Sequence, residues 1–284
     1  SVLKENGTPY ELHCTEYEGH ATELAREISS LPEEHVNLVI VGGDGTINEV
    51  INGITDFSNV SVGLVPAGSG NDFARGLKLK GSTRELTQRI IDHASEKNID
   101  LGRLTYRASE GSRLFAISSG IGMDAIVCKK ALTSKLKKVL NRFGLGKLTY
   151  LILTVQTIVD MVNTTARITY DDGKTIKYRR MIFTAAMNSF AEGGGVPMAP
   201  KASMESKDLS LCTAFAISKF VTIFVLPILV VAKHEKMKCF DIKHISKCRI
   251  RLEDAMTVHA DGEYCGEHSD IEYECIPGIM RFIW

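Results

Sequence analysis

Residues Val39–Ile54 read VIVGGDGTINEVINGI: apolar residues run into two glycines, an aspartate, a third glycine and a threonine, and a helical pattern begins at once. Val36 to Val41 is an apolar, β-branched run that predicts a buried parallel strand. Ile47, Val50, Ile51 and Ile54 then recur at the spacing of one helix face. Gly42, Gly43, Asp44, Gly45 and Thr46 turn the chain between the two. At the carboxyl end of a strand, glycines let the backbone bend sharply and approach a ligand with no Cβ in the way. The helix that follows offers unpaired N–H groups and a partial positive charge, which suit a phosphate. Ligands of open α/β sheets bind at this place. The plain alternative is a tight turn with Thr46 as a helix cap.

A second turn of the same kind follows. Ser61 to Val65 predicts a strand, and Pro66-Ala67-Gly68-Ser69-Gly70-Asn71-Asp72-Phe73-Ala74-Arg75 again opens a helix, from Asn71, with small residues. Two consecutive turns at one sheet edge form a joint anion cradle, with Ser69 and Asn71 as hydrogen-bonding groups. Another helix is predicted over Thr83–Ala94 from the capping pair Ser82 and Glu85, and a third strand over Ile99–Leu104. This alternation implies a parallel sheet with helices on both faces. Two other nucleotide signatures fail. No P-loop pattern occurs. Gly120-Ile121-Gly122-Met123-Asp124-Ala125 has the dinucleotide spacing, but no acidic residue lies between Asp124 and Asp160 to hold a ribose. It reads as a strand-to-helix turn.

Beyond about residue 105 the pattern changes. Leu114–Ser118 predicts a strand and Asp124–Val162 helix broken near Gly144 and Gly146. Short β-rich segments follow at Thr165–Tyr170, Thr175–Tyr178, Met181–Met187, Leu209–Ala216, Cys239–Ile242, Lys247–Leu252 and Ile271–Ile276. Asp172-Gly173 marks a hairpin. A run of strands after an alternating region implies a second, antiparallel β-sandwich domain. The 284 residues are enough for two such cores. Lys plus Arg and Asp plus Glu number 34 each, so no global field favours nucleic acid. Seven scattered cysteines without a Cys-x-x-Cys pair fit reduced thiols in a cytoplasmic protein. The longest apolar run, Phe220–Ala232, contains Pro227 and is too short to cross a bilayer.

Three motifs carry a resemblance. Gly-Gly-Asp-Gly-Thr-Ile-Asn-Glu-Val, Gly-Ser-Gly-Asn-Asp-Phe-Ala-Arg and His259-Ala260-Asp261-Gly262-Glu263 occur in order over nearly the whole chain. Together they resemble the diacylglycerol kinase catalytic domain family, in its bacterial lipid kinase branch. The resemblance implies an α/β nucleotide-binding domain (residues 1–104), a β-sandwich domain (105–276) and a last segment (277–284) returning to the first domain, with the active site in the cleft between them. It implies ATP and Mg2+ as cofactors. Residues from Gly42 and Gly43 through Asn48 to Glu49 would cradle the phosphates, with Thr15, Gly68, Ser69 and Asn71 near the nucleotide. Asp44 and Asp72 would sit at the magnesium and phosphate environment, and Asp100 at another acidic position of the cleft. Glu263 matches the proton acceptor, with Asp261 beside it; such a carboxylate suits a reaction that is mostly positioning and charge neutralisation.

Two departures from the family stand out. Its opening strand and Asn-Pro-x-Ser/Ala-Gly loop lie upstream of where this sequence starts; a chain without them should have an exposed sheet position and weakened ATP binding. Its structural magnesium site has Asp-Gly where Ser206-Lys207 stand here, which leaves Ser203, Ser206 and Asp208 as candidate metal ligands. The resulting expectation is a magnesium-dependent kinase, cytoplasmic and peripheral at the inner membrane face. It would phosphorylate the hydroxyl of a membrane lipid, diacylglycerol foremost. Neither the headgroup nor the oligomeric state is fixed by the sequence, and a homodimer is compatible. The rivals are an NAD kinase-like enzyme with a soluble acceptor and a catalytically silent lipid- or nucleotide-binding protein. Phe220–Ala232 is expected to pack on the second domain's sheet or, flanked by Lys219, Lys233 and Lys236, to face lipid.

Overall fold

The computed structural model describes residues 2–31, 35–107, 111–133, 146–160 and 163–284. In chain order it contains α1 (Val2–Glu5), α2 (His20–Ser29), β1 (Val36–Gly42), α3 (Asp44–Gly53), β2 (Val60–Pro66), α4 (Asp72–Gly76), α5 (Thr83–Ile91) and β3 (Glu96–Tyr106). The second half adds β4 (Gly111–Phe115), β5 (Ser118–Gly122), α6 (Met123–Thr133), α7 (Gly146–Asp160), β6 (Thr164–Tyr170), β7 (Thr175–Met187), β8 (Leu209–Phe215), α8 (Lys219–Val230), β9 (Phe240–Ile245), β10 (Lys247–Ala260) and β11 (Glu263–Ile283). The helical pattern predicted over 134–145 and 161–162 lies outside the described residues.

An α/β unit and an antiparallel β-sandwich share one hydrogen-bonded path, β1-β2-β11-β10-β5-β7-β8-β9. β1 and β2 pair in parallel from Val36 opposite Val60 to Gly42 opposite Pro66, so their two turns emerge at the same edge. The third strand departs from expectation. β3 is antiparallel to β11 and turns back into β4, so the alternating pattern does not continue as a parallel sheet. The parallel neighbour of β2 is instead the end of β11, Arg281–Ile283. β1 is a sheet edge rather than a buried strand: Ile40 is buried, while Val39 and Val41 are 43% and 68% exposed.

The core of the first unit forms where Ile47, Val50 and Ile51 of α3 and Phe73 of α4 meet Leu64 and Phe282. The rings of Phe73 and Phe282 lie edge to face at 5.4 Å. α5 opens with the predicted capping box: Glu85 N–H donates to Ser82 Oγ, and Ser82 N–H to the Glu85 carboxylate at 2.6 Å. In the second unit the hairpin at Asp172-Gly173 is present, with Gly173 at φ 79°. Two segments read as separate strands, Thr175–Tyr178 and Met181–Met187, are one strand, β7, which pairs with β6 in its first half and with β5 and β8 in its second. Arg180, at φ 52°, marks the bend between the halves and interrupts the alternation. The predicted strand Leu114–Ser118 is divided for a different reason: the amides of Ala116, Ile117 and Ser118 all turn onto the Asp261 carboxylate.

α8 packs one face of the apolar run against the second unit and leaves the other exposed. Thr222, Val225 and Leu229, spaced for one helix face, are buried beside Ile182 and Phe183. Phe224, Val221 and Ile223 face outward, Phe224 at 75% exposure. No described helix is long and apolar enough to cross a membrane.

Candidate active site

The two glycine turns touch. A Cβ on Gly68 would lie 2.6 Å from Gly43 Cα, and one on Gly43 would lie 2.9 Å from Gly68 Cα, closer than a side-chain carbon is tolerated. The Ala67 N–H donates to the Gly42 carbonyl at 2.8 Å and fixes the contact. Gly42 is needed locally as well, since a Cβ there would strike the Thr46 side chain. Asn71, at φ 51°, accepts from the Gly68 N–H at 3.0 Å and donates to its carbonyl at 2.8 Å, so its amide builds the second turn. Ser69 is exposed at that turn. The first residues of α3, Asp44 to Thr46, present the amides that no earlier helical turn can pair.

Asp44 joins the turns from the side-chain end. Its carboxylate accepts the N–H groups of Asp72 and Phe73 at 3.0 and 3.1 Å, capping α4. Burial pushes its pKa up, against the Phe73 amide and the charge of Arg75. Asp72, buried, pairs with Arg75 and accepts the Gly194 N–H at 2.7 Å, which latches the Gly193–Gly195 loop of the second unit onto α4.

From the other unit comes Glu263. A Cβ on Gly45 would lie 3.3 Å from Glu263 Oε1, so the carboxylate faces the first turn of α3. Burial raises its pKa; Arg113 opposes this, while Glu18, Glu49 and Asp261 add to it. Asp261 is a bolt beneath it. It accepts the amides of Ala116, Ile117 and Ser118 at 2.8 to 3.0 Å, and Asn48 Nδ2 at 2.9 Å. Burial pushes the Asp261 pKa up while these donors pull it down. Asn48, buried in α3, thus couples the nucleotide-side helix to the hairpin, and its Oδ1 accepts from Arg113 Nε at 3.0 Å.

Other proposed residues stand further from this centre. Glu49 caps α2 through the N–H groups of Gly19 and Ala21. Thr15 is exposed in the segment ahead of α2. Asp100 is buried, and its carboxylate accepts the amides of Lys207 and Gly278 at 2.6 and 2.7 Å, bracing the 203–208 loop. In that loop Ser206 Oγ donates to the Ser203 carbonyl at 2.7 Å. Asp208 lies 3.1 Å from His244, and its Oδ1 is buried without a partner among the described residues. The sequence reading missed Arg113, a lone arginine on β4 with no local motif. It also missed His259, Asp124 and Glu192 as a group, although Asp124 stands in the Gly120–Ala125 turn and His259 opens the third motif.

Residues 1–104 match the diacylglycerol kinase catalytic domain, and residues 117–284 match the YegS C-terminal NAD kinase beta sandwich-like domain. The Bacillus subtilis (strain 168) protein YtlR, whose name places it with lipid kinases, is 30% identical over 89% of this chain and 82% of its own length. The "Diacylglycerol kinase" of the same organism is 27% identical over 89% and 79%. A crystal structure of a diacylglycerol kinase from Bacillus anthracis str. Sterne superposes with a TM-score of 0.67 at 18% identity, over 95% of this chain and 83% of that one. An NAD kinase from Archaeoglobus fulgidus shares the fold more distantly, with a TM-score of 0.50 at 12% identity, over 100% of this chain and 86% of that one. Paired glycine turns met by a carboxylate from a β-sandwich are thus found on a chain that these domains match along nearly its whole length, and the protein belongs to the diacylglycerol kinase-like lipid kinase family.

Proposed function

We propose that this kinase transfers the γ-phosphoryl group of ATP to the hydroxyl of a membrane lipid, foremost diacylglycerol, giving phosphatidic acid. The observation that carries this reading is Glu263, supplied by one unit and facing the first turn of α3 in the other. The amides of Asp44 to Thr46 hold phosphate oxygens, and the bare backbone at Gly43, Gly45 and Gly68 lets them approach. Glu263 takes the proton of the attacking hydroxyl. Burial raises its pKa, which makes it a stronger base than an exposed glutamate, and the charge of Arg113 opposes that rise. Asp261 and Asn48 hold that carboxylate in register with the turn.

Magnesium suits two groups of residues. Asp208 has Oδ1 buried without a partner among the described residues, and the oxygen atoms of Ser206 and Ser203 lie in the same loop, a hard-donor set for a structural ion. Asp44 and Asp72 retain acceptor capacity beyond the amides they receive. Bound with ATP, the ion supplies neutralisation of phosphate charge.

Lipid access fits α8. Its outward Val221, Ile223 and Phe224 precede exposed Lys233, Lys236 and Lys238, a pattern suited to an anionic bilayer surface. Phe224→Glu should leave folding intact and weaken sedimentation with anionic vesicles; unchanged sedimentation removes this contact. For the reaction, incubation with labelled ATP, mixed lipids and NAD is decisive. Label in the organic phase supports the proposal. Label on NAD supports a soluble-acceptor kinase, and absence of label with retained lipid binding supports a silent binding protein.

A further inference from the structure

Three stretches converge behind the Asp261–Glu263 hairpin: Gly120-Ile121-Gly122-Met123-Asp124, Glu192-Gly193-Gly194-Gly195, and His259 itself. His259 on β10 pairs opposite Gly120 on β5. A Cβ on Gly120 would overlap Asp124 Oδ2 and lie 2.8 Å from His259 Nε2. The missing side chain is therefore what lets these two meet, Nε2 to Oδ2 at 3.3 Å. Both side chains are more than nine-tenths buried. Asp124 Oδ1 has no partner among the described residues. Glu192 receives the Ser118 hydroxyl, and one acceptor or ring atom of each of Asp124, Glu192 and His259 lies within 4.8 Å of the others.

The other edge of the ring decides what this cluster does. His259 Nδ1 accepts the Gly262 N–H at 3.1 Å. A ring nitrogen that accepts an amide carries no proton, so the neutral imidazole keeps its proton on Nε2, toward Asp124. The trio has the composition of a cation site, yet the nitrogen facing the carboxylates has no lone pair to give. In that tautomer the Nε2 proton, rather than a cation, faces the carboxylates. Gly262 stands between Asp261, the bolt of the hairpin, and Glu263.

We propose that His259 is a positioning residue: as a neutral ring held by Asp124 it fixes Gly262 and with it the Asp261–Glu263 hairpin, and protonation at Nδ1 releases them. Protonation turns Nδ1 from acceptor to donor, so it faces the Gly262 N–H without a bond. The charged groups facing the ring are Asp124 from α6, Glu192 from the loop ahead of Gly193, and Asp261 from the hairpin. Burial pulls the His259 pKa down, but the Asp124 hydrogen bond and these three charges outweigh it, and the net direction is up. Release therefore occurs as pH falls through a value above the ordinary histidine range.

The effect on turnover rests on Glu263 being the proton acceptor; the effect on the hairpin does not. The test uses the full chain with His259→Leu, His259→Asn and Asp124→Asn, reading hydrogen exchange at the Gly262 amide beside kinase turnover over a pH series. His259→Leu should speed Gly262 exchange about tenfold or more. It should also lower turnover on the order of a hundredfold with KM for ATP unchanged. Asn keeps an acceptor at the Nδ1 position and should restore both, while removing the acid limb that the histidine sets. Asp124→Asn should move that limb to lower pH. Unchanged Gly262 exchange in a folded His259→Leu overturns the proposal, as does an Asn variant that is folded and behaves like Leu. Full turnover in Glu263→Gln would remove the proton-acceptor reading instead, leaving the exchange result to decide the hairpin.

Discussion

At Gly43 and Gly68 two loops meet backbone to backbone with nothing between them, whereas at Asp261–Glu263 side chains hold the chain on every side. The first region gains its shape by subtraction: bare glycine backbone clears a space, and one carboxylate, Asp44, joins the turns. The second is assembled from Asp261, Asn48, Arg113, His259 and Asp124, which distant parts of the chain contribute. A phosphate site needs room and amide donors, which glycines supply locally. A general base needs one oxygen held in place, which requires distant parts to converge.

The contrast can be broken at either end. The largest effect is expected for Glu263→Gln, which should lower phosphoryl transfer on the order of a thousandfold with the circular dichroism spectrum and ATP binding retained. Asp261→Ala comes next, because it strands three backbone amides and Asn48; urea unfolding should show a loss on the order of 3 kcal/mol. Gly68→Ala should separate the turns, weakening ATP binding and costing about 1–3 kcal/mol, read by calorimetric titration and thermal unfolding. The smallest change tests that these effects are local. Asp270 pairs with Arg249 through two hydrogen bonds at 2.7 and 2.8 Å, away from both regions, and the Arg249 hydrogen bond holds its carboxyl below the usual range. A depressed folded pKa gives stability that is present above the unfolded value and lost as pH falls through the folded one. Asp270→Asn should cost about 0.5 kcal/mol at neutral pH, and less in acid, with turnover unaltered.

The same contrast explains what the sequence disclosed. Gly42 to Thr46, Pro66 to Arg75 and the Ser82–Glu85 box are contiguous, so their spacing alone announces strand, turn and helix. The hairpin at Asp172-Gly173 is legible for the same reason. His259 and Asp124 are 135 positions apart, and nothing near either names the other. Pairing of β3 with β11 rather than with a parallel neighbour is likewise a choice between remote partners. The split of Leu114–Ser118 is hidden because its cause, Asp261, lies far along the chain. Local chemistry marks turns; it is silent on which strand a turn delivers its neighbour to.

β11 starts at Glu263 and runs to Ile283, where it lies between β2 and β3. Synthesis delivers its far end long after β1, β2 and β3, so during translation the α/β half waits with its central slot unfilled and Phe73 lacking its Phe282 partner. Such late, long-range closure is slow and leaves apolar surface open in the nascent chain. Residues 1–104 expressed alone should therefore aggregate, and a peptide of residues 279–284 added in trans should lessen the aggregation by filling that slot.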